Sequence, residues 1–313
     1  AAGPGPVGSI APDPGAADAY LAHLLGSLDG RALDGLRVVL DCANGAASAV
    51  APAAFRRAGA HVEVLHADPD GTNINAGCGS TAPDDLQRAV VASGADAGLA
   101  FDGDADRVLA VDHEGGLVDG DRLIALFAVD RRAQGRLPGA TVVGTVMANL
   151  GFRLAMAGQQ IEVVETAVGD RYVLSALEAG GWALGGEQSG HIIFRDLATT
   201  GDGILTGLHL LDLLRRQGRP LAELAGAVMT RFPQVLRNVR VADHNGLAGA
   251  AEVWAQVAAV ERRLGPRGRI VVRRSGTEAV VRVMVEAETG PEAEEVAAIL
   301  CSTVQAALGP PLA

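Results

Sequence analysis

Lysine is missing altogether from the 313 residues, so all 26 basic side chains are arginine. That absence removes a Walker-type phosphate loop, which needs Lys on the β- and γ-phosphates, and any Schiff-base lysine chemistry. Cysteine is nearly as rare. Cys42, Cys78 and Cys301 are odd in number, far apart and in no Cys-x-x-Cys spacing. They read as incidental thiols in a reducing cytosol, not as a disulfide scaffold or a zinc site. No run of about 18 consecutive apolar residues occurs, and the N-terminus lacks the basic-then-apolar pattern of a signal peptide. A cytoplasmic protein with no membrane partner is expected. The first residue is Ala1 rather than Met, and the chain is expected to be a processed or truncated piece.

Basic charge is also outweighed: the formal net charge of −11 argues against nucleic acid or an anionic membrane as partner. A local positive site for an anionic small molecule remains compatible with it. Aromatic residues make up only 3% of a chain that is 49% hydrophobic. Ala, Val, Leu and Gly must then fill the interior, which suits α/β layers with close helix–strand contacts.

What is present divides into four stretches. Residues 1–15, rich in Pro and Gly, read as a linker. Residues 16–118 alternate helical segments with short apolar strands such as RVVLD (37–41), HVEVL (61–65) and AGLAF (97–101). This rhythm predicts a parallel sheet covered on both faces. Residues 119–232 repeat the layout: Val38-Val39, Asn44 and Ala58-Gly59 parallel Val142-Val143, Asn149 and Ala157-Gly158. We expect two copies of one α/β unit. From 233 to 313 the strands VLRNVRV, RIVVR and VVRVMVE and two long helices predict a smaller α+β domain. Trp182 and Trp254 are expected in cores.

Three loops carry chemistry. In the first, Asp102-Gly103-Asp104-Ala105-Asp106-Arg107 follows the apolar AGLAF. Three carboxylates at alternate positions repel unless a cation sits among them, and a Mg²⁺-type ion would take one oxygen from each. Gly103 permits the tight turn, and Arg107 would face an anion on the same metal. An EF-hand fails, because its sixth and twelfth positions are Arg107 and His113 instead of Gly and Glu. A haloacid-dehalogenase phosphatase, with Asp102 or Asp104 as nucleophile, stays open.

The second loop, Gly185-Gly186-Glu187-Gln188-Ser189-Gly190-His191, sits in a strand–turn–strand context. Glu187 and Ser189 suit hydrogen bonds to hydroxyls, and His191 is the chain's best proton-transfer candidate. The third, Arg273-Arg274-Ser275-Gly276-Thr277-Glu278 with Arg282 beyond it, offers backbone N–H groups, two hydroxyls and guanidinium forks for a phosphate. Asp170-Arg171 and Asp202 either line a cleft or cap helices. The remaining histidines show no ligand spacing.

In order and spacing these loops resemble the metal, sugar and phosphate loops of the α-D-phosphohexomutase superfamily. The segments VLDCANGAA, PDGTNINAGCGST, TVMANLGF, AVGDRYV, TTGDG and VRVMVEA, with Gln188 in GEQSGH, are most similar to its branch acting on glucosamine phosphates. The resemblance covers residues 16–307. It implies two tandem phosphohexomutase-type α/β domains followed by a smaller α+β C-terminal domain. It also implies interconversion of glucosamine 6-phosphate and glucosamine 1-phosphate through a phosphoserine and a bisphosphate intermediate. By the same resemblance Asp102, Asp104 and Asp106 would hold Mg²⁺, and Arg107 would lie beside the reacting phosphoryl. Glu187 and Ser189 would contact the sugar, and His191 would serve as acid/base. Arg273, Ser275, Gly276, Thr277 and Arg282 would grip the other phosphate. A homodimer is the assembly to expect.

The departures are specific. The superfamily's serine domain carries a Ser-His-Asn-Pro type loop, and no such string occurs here. The 313 residues alone are therefore expected to be inactive. Arg274 and Ala279 stand where the phosphate loop usually has prolines, and Ala82 where a His is usual. A non-catalytic sugar-phosphate-binding remnant and another phosphohexomutase, acting on glucose or mannose phosphates, are the alternatives.

Overall fold

The computed structural model describes residue 11, residues 13–275 and residues 278–309. Its first sheet joins β1 (Arg37–Asp41), β2 (His61–Leu65), β3 (Ala97–Phe101), β4 (Val108–Asp112) and β5 (Leu117–Val118) in the order β2-β1-β3-β4-β5. Its second joins β6 (Thr141–Thr145), β7 (Glu162–Thr166), β8 (Leu184–Gly186) and β9 (Ile192–Phe194) in the order β7-β6-β8-β9. The two are one design used twice. In each, the first strand pairs in parallel with the next two, and the third turns back into an antiparallel neighbour.

That last step corrects the all-parallel expectation. Only residues 102–107 separate β3 from β4, and only 187–191 separate β8 from β9. Connections so short cannot make a parallel crossover and must form hairpins. The metal and sugar loops are therefore the equivalent hairpin turns of the two repeats.

Helices α1 (Ala16–Gly26), α2 (Ala47–Arg57) and α3 (Asp84–Ser93) flank the first sheet, and α4 (Gly120–Ala133), α5 (Leu150–Gly158) and α6 (Asp170–Gly180) the second. The following α7 (Gly203–Gln217) starts where Asp202 Oδ1 accepts from Leu205 N–H at 2.9 Å, and it stops at the left-handed Gly218. Asp202 is thus a helix cap.

Although α7 comes from the second segment, it packs on the first sheet. A Cβ on Gly207 would lie 2.7 Å from Leu99 and 2.9 Å from Phe55, so a small residue lets helix and sheet close up. Arg31 Nε reaches the buried Asp212 at 2.8 Å, and the Tyr20 hydroxyl donates to Asp202 at 2.7 Å. One apolar core, from Leu21 to Met229, serves both α/β units.

After α8 (Leu221–Val228), β10 (Gln234–Arg240), α9 (Ala251–Leu264), β11 (Arg269–Arg274), β12 (Val280–Glu286) and α10 (Gly290–Leu308) build the last unit. Its sheet is antiparallel, in the order β10-β12-β11, over a separate core running from Val239 to Leu308. Trp254, expected in a core, is 40% exposed; its indole N–H donates to the Leu247 carbonyl at 2.9 Å, which keeps the ring at the surface. No helix among the described residues is long and apolar enough to cross a membrane.

Candidate active site

The metal loop leaves β3 from the buried Phe101 and is clamped at its first turn. Ala46 N–H donates to Gly103 O at 2.8 Å, and a Cβ on Gly45 would lie 2.4 Å from that oxygen. Asp102 Oδ1 accepts from Arg107 N–H at 3.2 Å, closing the loop on itself. Arg107 Nε lies 4.0 Å from Asp102 Oδ2 and 4.0 Å from Asp106 Oδ1, between the two carboxylates. Burial, and then the hydrogen bond and charge of Asp106, push the Asp102 carboxyl up to about 6; Arg107 pulls the other way.

Asp102 and Asp106 are thus brought together, whereas Asp104 is exposed and stands apart. The three aspartates do not all converge to ligand distance: among the described residues, the only His/Cys/Asp/Glu trio within 4.8 Å is Asp41, His66 and Cys78. Three like charges repel, and Asp104 relieves that repulsion by facing water. The donor set still fits a hard divalent cation. It is all carboxylate oxygen, and the near pair is a charge conflict that such an ion would resolve.

The sugar loop docks directly on this turn. Val108 N–H donates to Gly190 O at 3.1 Å, and an isolated antiparallel bridge joins Arg107 to His191. Gly190, at φ +93°, is required here: a Cβ would lie 2.2 Å from Val108 O. His191 is only 2% exposed. Its Nδ1 lies 3.0 Å from Asp106 Oδ2, and its Nε2 accepts from Gly201 N–H at 3.1 Å. An Nε2 that accepts carries no proton, so the ring proton sits on Nδ1 and points at Asp106. Both nitrogens are engaged by the protein, an arrangement that suits holding Asp106 better than exchanging protons with a substrate. Glu187 is half-buried, with Oε1 accepting from Gly169 N–H at 2.9 Å, and Ser189 is exposed.

The phosphate loop lies on the third sheet, apart from these contacts. Arg273 on β11 stands directly opposite Arg282 on β12. Two cations on one face of a sheet destabilise it unless an anion answers them. Arg282 has Glu278 at 3.4 Å, and Arg274 donates to Asn245 Oδ1 at 3.0 Å. Ser275 is buried, with its N–H on Val280 O at 2.9 Å and its hydroxyl accepting from Glu278 N–H at 3.3 Å. Gly276 and Thr277 lie outside the described residues.

What ties this last unit to the second is a buried polar junction that sequence reasoning missed. Asn149 Nδ2 donates to Glu286 Oε1 at 2.9 Å, and Leu150 N–H to Glu286 Oε2 at 3.1 Å. Arg269 approaches Glu286 at 3.5 Å and donates to the carbonyls of Ala148 and Val146. Asn149 N–H donates in turn to Asp121 Oδ2 at 2.7 Å, and burial pushes the Asp121 carboxyl up to about 8. The sequence signals were TVMANLGF and VRVMVEA, which hold Asn149 and Glu286, as separate family segments. The partners of Asn149, 28 and 137 residues away, left no trace in spacing.

Domain models of one family match the chain in order. They are the phosphoglucomutase/phosphomannomutase alpha/beta/alpha domain II over residues 18–116, domain III over 119–232 and the C-terminal domain over 236–302. The phosphoglucosamine mutase of Rhodococcus opacus is 55% identical over 298 residues, which are 95% of this chain and 66% of that protein. That of Streptomyces griseus is 57% identical over 292 residues, 93% of this chain and 64% of the relative. That of Frankia alni is 55% identical over 313 residues, 99% of this chain and 68% of the relative. The chain thus spans about two thirds of the length of the curated relatives it matches.

Among solved structures, a phosphoglucomutase/phosphomannomutase family protein of Burkholderia thailandensis is 26% identical, with a TM-score of 0.77 over 95% of this chain and 66% of that one. The N-acetylphosphoglucosamine mutase of Aspergillus fumigatus, in complex with GlcNAc-6P and magnesium, shares the fold. It is 24% identical, with a TM-score of 0.76 over 93% of this chain and 66% of that one. Paired hairpin loops on a doubled α/β unit, three domain models in sequence and more than half the residues in common with such relatives lead to one conclusion: the chain belongs to the phosphoglucomutase/phosphomannomutase family.

Proposed function

We propose that these residues supply the metal, sugar and phosphate loops of a phosphoglucosamine mutase. Its reaction is the interconversion of glucosamine 6-phosphate and glucosamine 1-phosphate through a phosphoserine and a bisphosphate intermediate. The observation that carries the reading is the backbone union of the metal and sugar loops, Val108 N–H to Gly190 O, with Asp106 held by His191 across it. A phosphoryl group bound at the aspartates would lie beside residues suited to a sugar hydroxyl. The glucosamine preference rests on Gln188 and on the names of the relatives.

In this reading Asp102, Asp104 and Asp106 hold Mg²⁺, which supplies charge neutralisation at the transferring phosphoryl when bound. Arg107, between two of those carboxylates, faces the same phosphoryl. Glu187, steadied by Gly169 N–H, and Ser189 orient the sugar through its hydroxyls. Arg273, Ser275, Gly276, Thr277 and Arg282 hold the phosphate that does not react. His191 keeps Asp106 in ligating orientation. The protein's contribution is positioning and electrostatics, as phosphoryl transfer asks. The partner is a small sugar phosphate, with neither nucleic acid nor membrane. The assembly is a homodimer and the setting cytoplasmic, consistent with three unpaired cysteines.

The nucleophilic serine is assigned to a segment outside these residues, so the 313 residues bind without turning over. Calorimetry with glucosamine 1-phosphate and Mg²⁺, beside a turnover assay with glucosamine 6-phosphate, tests this. Saturable binding with no turnover is expected. Turnover by these residues alone, or no binding of either sugar phosphate, would overturn the proposal.

A further inference from the structure

We infer that Asp41, His66 and Cys78 form a second metal site, one that takes a zinc-type transition ion. The three come from separate places: the end of β1, the residue after β2, and the turn before α3. Each offers a ligand atom within 4.8 Å of the other two, and His66 Nδ1 lies 3.1 Å from Asp41 Oδ2. A tetrahedral zinc with bonds of about 2.0–2.3 Å holds its ligands roughly 3.3–3.8 Å apart, so the trio would draw together around an ion. Thiolate, imidazole and carboxylate together suit zinc, cobalt or iron rather than magnesium, and three protein ligands leave one coordination position open. The site lies beyond the carboxyl ends of parallel strands, where open α/β sheets gather ligands.

The surroundings argue for a built site over a chance meeting. Metal-ligating groups are held by outer partners that fix their orientation, and each of the three has one. The second ring nitrogen of His66, Nε2, faces the carboxylate of Asp85 at 3.4 Å, the carboxylate–histidine–metal relay. Asn44 Nδ2 lies 3.9 Å from Cys78 Sγ as a donor to sulfur. Asp41 accepts Ala43 N–H on Oδ1 at 3.0 Å and Gly79 N–H on Oδ2 at 2.9 Å. Asp41 and Cys78 are fully buried, and His66 Nδ1 is a buried atom with no well-formed hydrogen bond.

The backbone is strained around the same point. Ala43, Asn44 and His66 all have positive φ, at 52°, 48° and 48°. Such conformations are disfavoured in non-glycine residues and persist where the surroundings impose them. The same segment also supports the metal loop: a Cβ on Gly79, next to Cys78, would lie 2.5 Å from Phe101 O. An ion here would staple β1, β2 and the 74–79 segment together beneath the aspartate turn. Its binding displaces the Cys78 thiol proton to solvent.

Cobalt is the probe. The 313-residue chain is stripped with a chelator, saturated with Mg²⁺ to occupy the aspartate loop, and titrated with Co²⁺. One equivalent should bring up near-ultraviolet thiolate-to-cobalt absorption with the visible bands of a four-coordinate ion, and Zn²⁺ should displace it. Cys78→Ser should abolish the thiolate absorption, and His66→Gln should weaken cobalt binding at least about tenfold. Asp102→Asn should leave the signal intact. No thiolate absorption at saturating Co²⁺, or absorption that survives Cys78→Ser, overturns the assignment. If Cys78→Ser fails to fold, Cys42→Ser and Cys301→Ser decide: both must keep the band, and its loss in either would move the thiolate elsewhere.

Discussion

His191 and Asp106 stand 3.0 Å apart across the seam between two hairpins, and the same imidazole takes the Gly201 N–H on its other nitrogen. A ring gripped on both sides fixes the direction in which Asp106 presents its carboxylate. The residue singled out from sequence as a proton carrier is, in space, the support of a predicted metal ligand.

Removing that support should loosen the ion. His191→Ala is expected to weaken Mg²⁺ binding about 10- to 100-fold, the usual effect of losing a partner behind a ligand. His191→Asn, whose amide can still donate toward Asp106, should recover part of it. Calorimetric Mg²⁺ titration of the three proteins checks this; equal affinities would return His191 to the acid/base role.

Arg273 and Arg282 face each other on neighbouring strands. Changing either to Ala should reduce sugar-phosphate affinity about 10- to 100-fold, since a hydrogen bond to a charged group contributes about 1.5–3 kcal/mol. It should leave Tm unchanged or higher, because opposed like charges strain the sheet. Titration calorimetry together with a melting curve reads both. A fall in Tm alongside the lost affinity would point to a structural role instead.

Gly190 holds the two loops in contact. Gly190→Ala is expected to lower stability by about 2–4 kcal/mol, combining a left-handed backbone with a collision against Val108 O. Denaturant unfolding of the variant measures it, and a loss under 1 kcal/mol would mean the loops can part at little cost.

Asp121 is the clearest pH-sensitive group. Its carboxyl rises from 3.8 to about 8 because it is buried, with Asp119 and Glu286 adding to the effect. Between those values the folded chain keeps a proton that the unfolded chain has lost. Its contribution to stability is therefore full below about 4 and declines as pH rises to about 8. Asp121→Asn cannot titrate. Its Tm relative to the parent chain should rise steadily from pH 4 to pH 8 and level off above, as scanning calorimetry across that range would register. A constant difference would contradict the burial argument.

Much of this was legible in the sequence because it depends on neighbours along the chain. Apolar runs bounded by Gly and polar turns marked AGLAF as a strand and residues 102–107 as a turn, and helix capping was one of the two readings of Asp202. The doubled α/β unit showed through weak letters because order and spacing outlast identity. The expectation of a parallel sheet missed the antiparallel return of β4, although the shortness of the turn before it already required a hairpin.

The 313 residues by themselves determined the helices and strands, the doubled unit and the three loops, all of which follow from local pattern and the reach of short connections. Only the tertiary structure decided that α7 covers the first sheet, that His191 faces Asp106 rather than open cleft, and that Glu286 closes on Asn149. It also gathered Asp41, His66 and Cys78, whose thiol and imidazole showed no ligand spacing in the sequence. Each of these joins residues far apart in the chain, and long-range pairing is set by how whole layers pack, which no local pattern encodes.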